Sequence, residues 1–374
     1  MRWCKNCVLP DTRPGLVIGK DGICNACNNH TTKKYVDWER REANFKKIVQ
    51  QAKVSSHGYD CVIPVSGGKD STWQVIKCLE YGLTPLAVTW RTPGRTAIGQ
   101  RNLDNLISLG VDHIDYQISP KLESQFMLRG LERFGSTAIP MHMALFNIPL
   151  NIAVKFKIPL VIWGENSAFE YGSEDDTLGG HRLNSAWLSK FGVTHGTTAA
   201  DWVGDGFTPK NLAAYFGPGE ELIEHSDLNA IFLGHYFEWD PEISLASAKA
   251  NGFQFASGGA RTGLYDYADI DDDFISIHHW IKWYKFGFTR LFDNLSLEIR
   301  NNRMSRDEAI QIITKTGNQA PKEDIHKFCN FAKIDVKTFY NLCEKFRNLH
   351  IWSYSDSQWK INNFLIKDWN WYEI

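Results

Sequence analysis

An apolar segment at residues 60–65 runs directly into the loop Ser-Gly-Gly-Lys-Asp-Ser at residues 66–71, and a helical pattern follows the loop and ends at Gly82. The segment has the length and composition of a buried strand. Glycines let the backbone approach a phosphate closely, and the N–H groups at the start of a helix point toward an anion. A strand, a glycine-rich turn and a helix in this order therefore predict an anion-binding loop at the end of a buried strand.

The side chains of this loop favour the same interpretation. Ser66 and Ser71 supply hydroxyl donors, and Lys69 supplies a positive charge. Asp70 repels a phosphate, so we expect it to orient the loop or to help hold Mg²⁺. The spacing excludes a Walker A loop, which needs four residues between its glycines and ends in Gly-Lys-Ser or Gly-Lys-Thr.

Strand and helix patterns alternate around the loop. Further strands are predicted at residues 86–90, 113–118, 159–166 and 230–237, and helices at 71–82, 98–110, 120–135 and 143–156. Pro149 is expected to break or kink the last of these helices. Alternation at this spacing predicts an α/β fold with a parallel sheet covered on both faces. Ligands of such sheets bind beyond the carboxyl ends of the strands.

Two C-x2-C pairs separated by sixteen residues lie near the start of the chain, as Cys4, Cys7, Cys24 and Cys27. This spacing is typical of a zinc site, and four thiolates leave no open position for water, so the predicted Zn²⁺ is structural. The segment between the pairs is too short to form a core, and metal binding would supply its folding energy. Two disulfides or four free thiols are the alternatives. The remaining cysteines lie in apolar patterns and are predicted to be buried: Cys61, Cys78, Cys329 and Cys343.

Three regions are predicted along the chain. Residues 1–32 form the zinc knuckle, residues 33–265 form the α/β domain, and residues 266–374 form a helical C-terminal domain. The α/β domain contains an irregular stretch at about 167–229, which is too long for a plain loop and is predicted to be a functional insertion.

Local signals predict helices at both ends of the α/β domain. A charged helix at residues 33–53 links it to the knuckle, and the residues expected on its apolar face are Tyr35, Trp38, Phe45, Ile48 and Val49. In the C-terminal region a capping box from Ser305 to Glu308 opens one helix, Pro321 opens a second, and residues 336–348 form a third.

Composition limits the classes of partner. The chain has 374 residues and a net charge of -2, which does not indicate a nucleic-acid or membrane surface. No apolar stretch follows a basic start, and no run approaches the ~20 apolar residues that a membrane span needs. We therefore expect a cytoplasmic protein without nucleic-acid or membrane partners.

The motif SGGKDS after a short apolar strand resembles the PP-loop of the N-type ATP pyrophosphatases, whose fold is adenine nucleotide alpha-hydrolase-like. The resemblance implies that ATP is cleaved between its α and β phosphates, that AMP is transferred to a carbonyl oxygen, and that a nitrogen or sulfur nucleophile displaces AMP. A second nucleotide-side motif of this family corresponds to residues 164–166, for which an ordinary strand-end turn is the alternative. The residues implied to bind ATP are Ser66, Gly67, Gly68, Lys69, Asp70, Ser71, Gly164, Glu165 and Asn166.

The source of the nucleophile is not evident in the chain itself. Met1 stands where one kind of glutaminase has its N-terminal cysteine, and no cysteine has the glycines of a Gly-x-Cys-x-Gly elbow. The protein would then use free ammonia, receive ammonia from a partner, or use a sulfur donor as a tRNA thiolase does. The slightly acidic net charge and the apolar surroundings of the cysteines outside the knuckle weigh against the thiolase.

Five phrases extend the resemblance over most of the chain. They are RWCKNCVLPDTRP at 2–14, DGICNAC at 21–27, PVSGGKDS at 64–71, GEN at 164–166 and IHHWIKWYKFGFTR at 277–290. Together they resemble the N-acetyl sugar amidotransferases of bacterial surface-polysaccharide pathways, such as lipopolysaccharide O-antigen biosynthesis. The family implies conversion of an N-acetyl group to an acetamidino group with ATP and Mg²⁺. It also implies two partners, a glutaminase subunit and an ammonia-conducting barrel subunit similar to those of histidine biosynthesis.

Charged residues of the C-terminal phrase are candidates for catalysis. Lys285 and Arg290 are predicted to hold pyrophosphate or an acidic group of the sugar, with a solvated pair as the alternative, and they join Lys69 and Asp70 in the predicted catalytic set. His278 and His279 are candidates for proton shuttling, with structural roles as the alternative. Asp269, Asp271, Asp272 and Asp273 are candidates for Mg²⁺ binding, and Arg91, Arg95 and Arg101 are candidates for contacts to the nucleotide or an acidic sugar.

Two questions remain open at the level of sequence. A non-catalytic zinc- and nucleotide-binding module is a different class of function, although the intact Lys69-Asp70 pair argues against it. The acceptor is a nucleotide-linked diacetamido sugar, its uronic acid or a nine-carbon acidic sugar, among which the motifs do not decide.

Overall fold

A five-stranded parallel sheet forms the centre of the computed structural model, which describes residues 1–171, 173, 179–204, 206–219 and 227–371. Its strands are β1 Cys61–Pro64, β2 Pro85–Trp90, β3 Asp112–Tyr116, β4 Leu160–Trp163 and β5 Asn229–Phe232, in the order β3-β2-β1-β4-β5. The predicted α/β class is confirmed. Strand order reverses direction between β1 and β4, and a doubly wound sheet binds ligands at this position.

Helices cover both faces of the sheet. Before the C-terminal region, the helices of the described residues are α1 Asn25–Thr32, α2 Trp38–Ser55, α3 Lys69–Glu80, α4 Ala97–Ile107, α5 Pro120–Phe134, α6 Ile139–Phe156, α7 Ser167–Tyr171, α8 Ser185–Phe191 and α9 Pro241–Ala250. Side chains alternate along each strand, so Val62 and Val161 pack toward α5 and α6. Ile63 and Ile162 pack on the opposite face, toward α2, α3 and α4. Burial on both faces explains why the strands read as apolar runs.

Two local expectations were wrong, at Tyr35 and in the last strand, and of the two outcomes expected at Pro149 a break is absent. Tyr35 is 79% exposed, because it lies in the short 3₁₀ turn Lys33–Tyr35, and α2 begins only after Asp37, whose side chain accepts a hydrogen bond from the Arg40 N–H. Pro149 does not break α6, which continues to Phe156 with the proline buried within it. The last strand ends at Phe232, and Leu233–His235 form a 3₁₀ turn. Neither α6 nor any other helix in the described ranges has the length and apolarity needed to cross a bilayer.

The predicted insertion contributes aromatic side chains to the core. Trp187, Trp202, Phe207 and Tyr215 are buried in the same cluster as Phe126 of α5. Phe126 lies 4.9 Å from the rings of both Trp202 and Tyr215, measured between centroids. Residues 172, 174–178, 205 and 220–226 of the insertion lie outside the described residues.

The C-terminal region is helical, as predicted, and ends in a short hairpin. Its elements are α10 Ile275–Phe286, α11 Arg290–Arg300, α12 Arg306–Thr316, α13 Lys322–Ala332, α14 Val336–Glu344, and the antiparallel strands β6 Trp352–Ser355 and β7 Gln358–Ile361. The capping box between Ser305 and Glu308 is present at the start of α12. Helices α10 and α11 were not predicted, and their N-cap residues, Phe274 and Thr289, make no side-chain capping hydrogen bond.

The two ends of the described chain share one hydrophobic core. Apolar residues of the knuckle, among them Val8, Leu9 and Leu16, belong to the same buried cluster as Phe292 of α11. Trp3 stacks on Phe292 with ring centroids 5.8 Å apart, and the Trp3 indole donates to the Asn363 carbonyl at 2.8 Å. The knuckle is therefore packed against the C-terminal helices.

The buried carboxyl of Glu123 gives the fold a pH dependence. Burial raises the pKa of Glu123 to about 8, although the Trp90 indole donates to it at 2.7 Å. Since the folded protein binds this proton more tightly than the unfolded chain, the contribution to stability is fully present below pH 4.5 and is lost as the pH rises toward 8. We expect Glu123→Gln to raise the free energy of unfolding at pH 8 by something on the order of a few kcal/mol. The melting temperature at pH 8 should rise accordingly.

Melting temperatures of both proteins between pH 5 and 8 test this expectation. Glu132→Gln, on the exposed side of the same helix, is the matched control and should follow the wild-type curve. Parallel curves for Glu123→Gln and the wild-type protein would show that Glu123 does not titrate in this range.

Candidate functional site

The loop at residues 66–71 lies at the carboxyl end of β1 and leads into α3, as predicted. Gly67 has a φ of +86°, and a Cβ atom there would lie 2.6 Å from the backbone nitrogen of Leu103. Only glycine combines this backbone conformation with such a close approach. Gly68 caps α3 with extended backbone, so the first N–H groups of the helix face the end of the strand.

Hydroxyl groups fix the shape of this loop. The Gly68 N–H donates to Ser66 Oγ at 3.2 Å, and Ser71 Oγ donates to the Gly68 carbonyl at 3.0 Å. The Ser66 N–H in turn donates to Ser71 Oγ at 3.4 Å. The two serines therefore hold the backbone of the loop in the conformation that an anion cradle requires.

Lys69 and Asp70 form a close ion pair. Lys69 Nζ lies 2.6 Å from Asp70 Oδ1, and the same oxygen accepts hydrogen bonds from Ser244 Oγ and the Trp239 indole. Burial raises the pKa of Asp70, but the Lys69 ammonium and these donors outweigh burial and hold it below its usual range. Asp70 thus stays ionised and connects α3 to α9.

A cavity of about 470 Å³ opens beside this loop, at the carboxyl ends of β1, β2 and β4. Its charged lining residues are Lys69, Asp70, Arg95, Glu165, Asp269, Asp271, Asp272 and Arg290. Carboxylates outnumber cations here, although the loop is built for a phosphate. A divalent cation between carboxylates and phosphates would resolve that repulsion, and Mg²⁺ prefers such oxygen ligands. The residues present therefore fit Mg²⁺ together with a nucleotide.

Burial changes the protonation of these carboxyl groups. It raises the pKa of Glu165 to about 7, with the Asp70 charge adding to the effect, and the pKa of Asp272 also to about 7. Asp269 behaves in the opposite way: although burial raises its pKa, Arg290 and His279 bring it well below the usual value. Arg290 Nε lies 3.4 Å from Asp269 Oδ2.

A second cavity, of about 590 Å³, adjoins the first. Both cavities share His142, Glu165, Ser167, Phe191, Val193, Ile275 and Arg290 as lining residues. The charged lining of the second cavity consists of Arg13, Glu165, Lys190, Lys282, Lys285, Arg290 and Asp293. Cations therefore predominate in the second cavity, whereas carboxylates predominate in the first.

Histidines form part of the wall of the second cavity. They are His142, His195, His278 and His279. Burial lowers the pKa of His142, His195 and His279 to about 4, and the pKa of His278 well below its usual value. These imidazoles are therefore neutral at pH 7.

The structure brings most of the predicted site residues to these two cavities. Lys285 lines the second, where its Nζ donates to the Phe134 carbonyl at 2.8 Å and burial lowers its pKa to about 8. Arg290 lines both, and Gly164 and Glu165 line the first. Asp273 is not among the lining residues of either cavity and pairs with Arg261 and Lys327.

Asn166 has a structural set of contacts. Its amide donates to the Gly180 carbonyl at 2.9 Å, and its carbonyl accepts from the Ala168 N–H and the Trp187 indole. The side chain is buried and is not among the residues that line the first cavity. Among the candidate arginines, Arg95 lines that cavity and pairs with Asp115, whereas Arg91 and Arg101 do not line it.

Several residues of the cavities were not expected from the sequence. Arg13, His142, Lys282 and Asp293 line the second cavity, and Trp239 lines the first. Arg13 and Lys282 lie inside the phrases at residues 2–14 and 277–290. These phrases indicated the family resemblance, but they did not indicate a role for either residue. His142 and Trp239 stand in apolar or irregular sequence and carry no such signal.

The four knuckle cysteines converge as predicted. All are buried, and their sulfur atoms lie within 4.8 Å of one another, with 3.9 Å between Cys4 and Cys27 and 3.8 Å between Cys7 and Cys24. A Zn–S bond of about 2.3 Å in a tetrahedron gives sulfur separations of about 3.8 Å. The Cys24 N–H also donates to Cys4 Sγ at 3.3 Å, a contact that supports a thiolate. The cluster therefore fits a structural Zn²⁺.

Part of the chain matches a known protein family. Residues 261–365 match the C-terminal domain of the WbpG-like lipopolysaccharide biosynthesis proteins. This domain contains Lys282, Lys285, Arg290 and Asp293, and so it forms part of the wall of the second cavity. The match confirms, for this part of the chain, the resemblance to surface-polysaccharide proteins that the sequence phrases indicated. Among curated proteins, none matches the chain.

Two solved structures are distantly similar. The NMN synthetase from Francisella tularensis has 11% sequence identity and a TM-score of 0.34, with 84% of this chain and 97% of that chain covered. The U34-tRNA thiolase NcsA from Methanococcus maripaludis with its [4Fe-4S] cluster has 12% identity and a TM-score of 0.32, with 89% of both chains covered. Similarity at this level says nothing about the activity of the present chain.

The cysteine geometry leads to a metal-content prediction. We expect one zinc ion per chain, and we expect Cys24→Ser to lose it and to melt at a lower temperature, because the knuckle core depends on the metal. Atomic emission spectrometry and thermal denaturation measure the two effects. Cys78→Ala removes a buried cysteine outside the cluster and should keep its zinc. A full complement of zinc in Cys24→Ser would contradict the assignment.

Proposed function

We propose that the protein is an ATP-dependent amidotransferase that converts an N-acetyl group of a sugar to an acetamidino group. ATP would adenylate the amide oxygen, ammonia would replace AMP, and AMP and pyrophosphate would be released. The C-terminal domain match to lipopolysaccharide biosynthesis proteins supports a role in surface-polysaccharide synthesis.

One observation carries the proposal. A phosphate-binding loop opens into a cavity that is rich in carboxylates, and this cavity adjoins a second one that is rich in cations. Two reagents of different charge can thus meet at the shared wall, where Glu165 and Arg290 lie. Holding both reagents in one geometry can lower the barrier of a two-substrate reaction by about 7–11 kcal/mol.

The first cavity supplies groups for the adenylation step. The loop at residues 66–71 would hold the phosphates, with Lys69 countering the charge that develops on pyrophosphate. Mg²⁺ would lie between the phosphates and the carboxylates of Asp271 and Asp272, and it would supply further neutralisation of charge. Adenylation makes the amide carbon electrophilic and turns its oxygen into part of a leaving group.

The shared wall supplies groups for the second step. Ammonia attacks the activated carbon, the nitrogen gives up a proton, and AMP leaves with the electrons of the carbon–oxygen bond. Glu165 is placed to take that proton, because it lines both cavities and its pKa is near 7. Lys285 and Arg290 would hold the acidic part of the sugar.

Ammonia is proposed to come from partner proteins. The resemblance stated above implies a glutaminase subunit and an ammonia-conducting barrel subunit, and the chain has no recognisable glutaminase motif of its own. No membrane or nucleic-acid partner belongs to the proposal.

A tRNA thiolase is the weaker alternative. All eight cysteines lie in the described part of the chain, and none of them lines either cavity. Cys61, Cys78, Cys329 and Cys343 are buried in apolar clusters, where a thiol is unreactive. No cysteine thiol of the described residues is therefore available beside the proposed acceptor.

A mass-spectrometric assay tests the reaction. The protein is incubated with ATP, Mg²⁺, an ammonium salt and a panel of di-N-acetylated sugars, both acidic and nucleotide-linked, without a glutaminase. We expect one oxygen of the acceptor to be replaced by NH, with one AMP and one pyrophosphate per product. Asp70→Ala should lower the rate by about 10²-fold or more, because Lys69 loses the partner that fixes its position.

The control for this variant is Asp104→Ala, an exposed carboxylate of α4 outside both cavities, which should keep the wild-type rate. AMP release that requires added tRNA and leaves every sugar unchanged would favour the thiolase and refute the sugar reaction.

The role of Glu165 predicts a pH profile. Since only the carboxylate accepts a proton, the rate at a constant concentration of free NH₃ should rise as the pH increases through about 7 and then level off. Glu165→Gln should be slower and should lose this dependence. Glu123→Gln is a matched control, because Glu123 is also a buried acid with a raised pKa but lines neither cavity. An unchanged profile in Glu165→Gln would exclude Glu165 as the proton acceptor.

A further inference from the structure

The knuckle contributes directly to the second cavity. Arg13, Pro14 and Gly15 line it, although they belong to the segment between the two cysteine pairs. Metal binding requires only the four cysteines, so contact with the cavity in which the acceptor is proposed to bind is an additional property of the knuckle.

Hydrogen bonds hold this segment at the cavity. Thr12 Oγ1 donates to the Phe286 carbonyl at the end of α10 at 2.6 Å, and the Asn25 amide donates to the Gly15 carbonyl at 2.9 Å. Asn25 directly follows Cys24, one of the four cysteines of the metal site. The position of the segment is therefore set both by the C-terminal domain and by the turn that carries the second cysteine pair.

The Arg13 guanidinium meets a buried carboxylate. Arg13 Nε lies 2.8 Å from Asp293 Oδ1, and Lys282 Nζ lies 3.3 Å from Asp293 Oδ2. Burial raises the pKa of Asp293, but Arg13 and Lys282 outweigh burial and keep the carboxylate ionised. Two cations thus meet at one carboxylate, and the group of three carries a net positive charge beside the cavity.

We infer that Arg13 is a specificity-determining residue, which the knuckle places in the second cavity to bind an anionic oxygen group of the acceptor. The inference rests on the proposed function and deepens it. Asp293 accepts from Arg13 Nε and the Pro14 carbonyl accepts from Arg13 Nη1 at 3.3 Å, so the guanidinium is held at the wall of the second cavity. A guanidinium can donate two parallel hydrogen bonds to a carboxylate or a phosphate, and an ammonium cannot reproduce that geometry.

Calorimetric titration with two acceptor probes tests the inference without requiring turnover. The probes are a UDP-linked diacetamido uronic acid and its counterpart with a hydroxymethyl group in place of the carboxylate. We expect Arg13→Gln to weaken binding of the uronic acid by about 10- to 100-fold, the effect of losing a hydrogen bond to a charged group. An equal loss of affinity for both probes would indicate that Arg13 contacts the diphosphate, which both probes carry. A loss of affinity for the uronic acid alone would indicate that Arg13 contacts the carboxylate.

Matched controls separate recognition from structure. Arg2→Gln removes another arginine of the knuckle, whose ion pair with Asp11 is largely exposed, and should leave both affinities unchanged. Arg13→Lys keeps the charge and should bind the probes more tightly than Arg13→Gln does but less tightly than the wild-type protein. Zinc content and the affinity for ATP should be unchanged in the Arg13 variants, which rules out a loss of fold.

Two results would overturn the inference. One is wild-type affinity of Arg13→Gln for both probes, and the other is a failure of the wild-type protein to bind either probe. The first leaves the proposed function intact, since the mass-spectrometric assay would still yield product. Absence of any sugar product from the wild-type protein in that assay is the separate result that counts against the function itself.

Discussion

The buried carboxylate of Asp293 joins parts of the chain that are far apart in sequence. It lies on α11, accepts from Arg13 of the knuckle 280 positions away, and accepts from Lys282 of α10. A buried charge without partners costs several kcal/mol, so the three elements must keep their relative positions for the carboxylate to remain paired. All three residues line the second cavity, so the geometry of that cavity depends on this arrangement.

Charge divides the site into two parts. Carboxylates predominate in the cavity beside the loop at residues 66–71, and cations predominate in its neighbour. A nucleotide with Mg²⁺ complements the first environment, and an anionic sugar complements the second. Burial strengthens both fields, since charges interact more strongly away from water. Burial also raises the pKa of Glu165 to about 7, where its carboxylate can take up a proton, and it keeps the His142 imidazole neutral.

Several features of the site could be predicted from local sequence. The loop at residues 66–71 was located because its glycines, its strand and its helix are consecutive in the chain. The direction of a side chain at a strand end is not local information. Glu165 faces the first cavity, whereas the neighbouring Asn166 is held by Trp187 of the insertion. Tyr35 matched an apolar pattern but lies on an exposed turn, because the helix begins only after Asp37.

The sequence by itself determined the parallel sheet, the glycine-rich loop at its centre and the cysteine quartet. Each of these is fixed by short-range patterns: short apolar runs in the strands, a period of about 3.6 in the helices, and the C-x2-C spacing in the metal site. Only the tertiary structure decided that Arg13, Lys282 and Lys285 share a cavity. Their meeting depends on the core that the knuckle and the C-terminal helices build together. Such a core arises from many contacts between distant residues, and no local pattern encodes their sum.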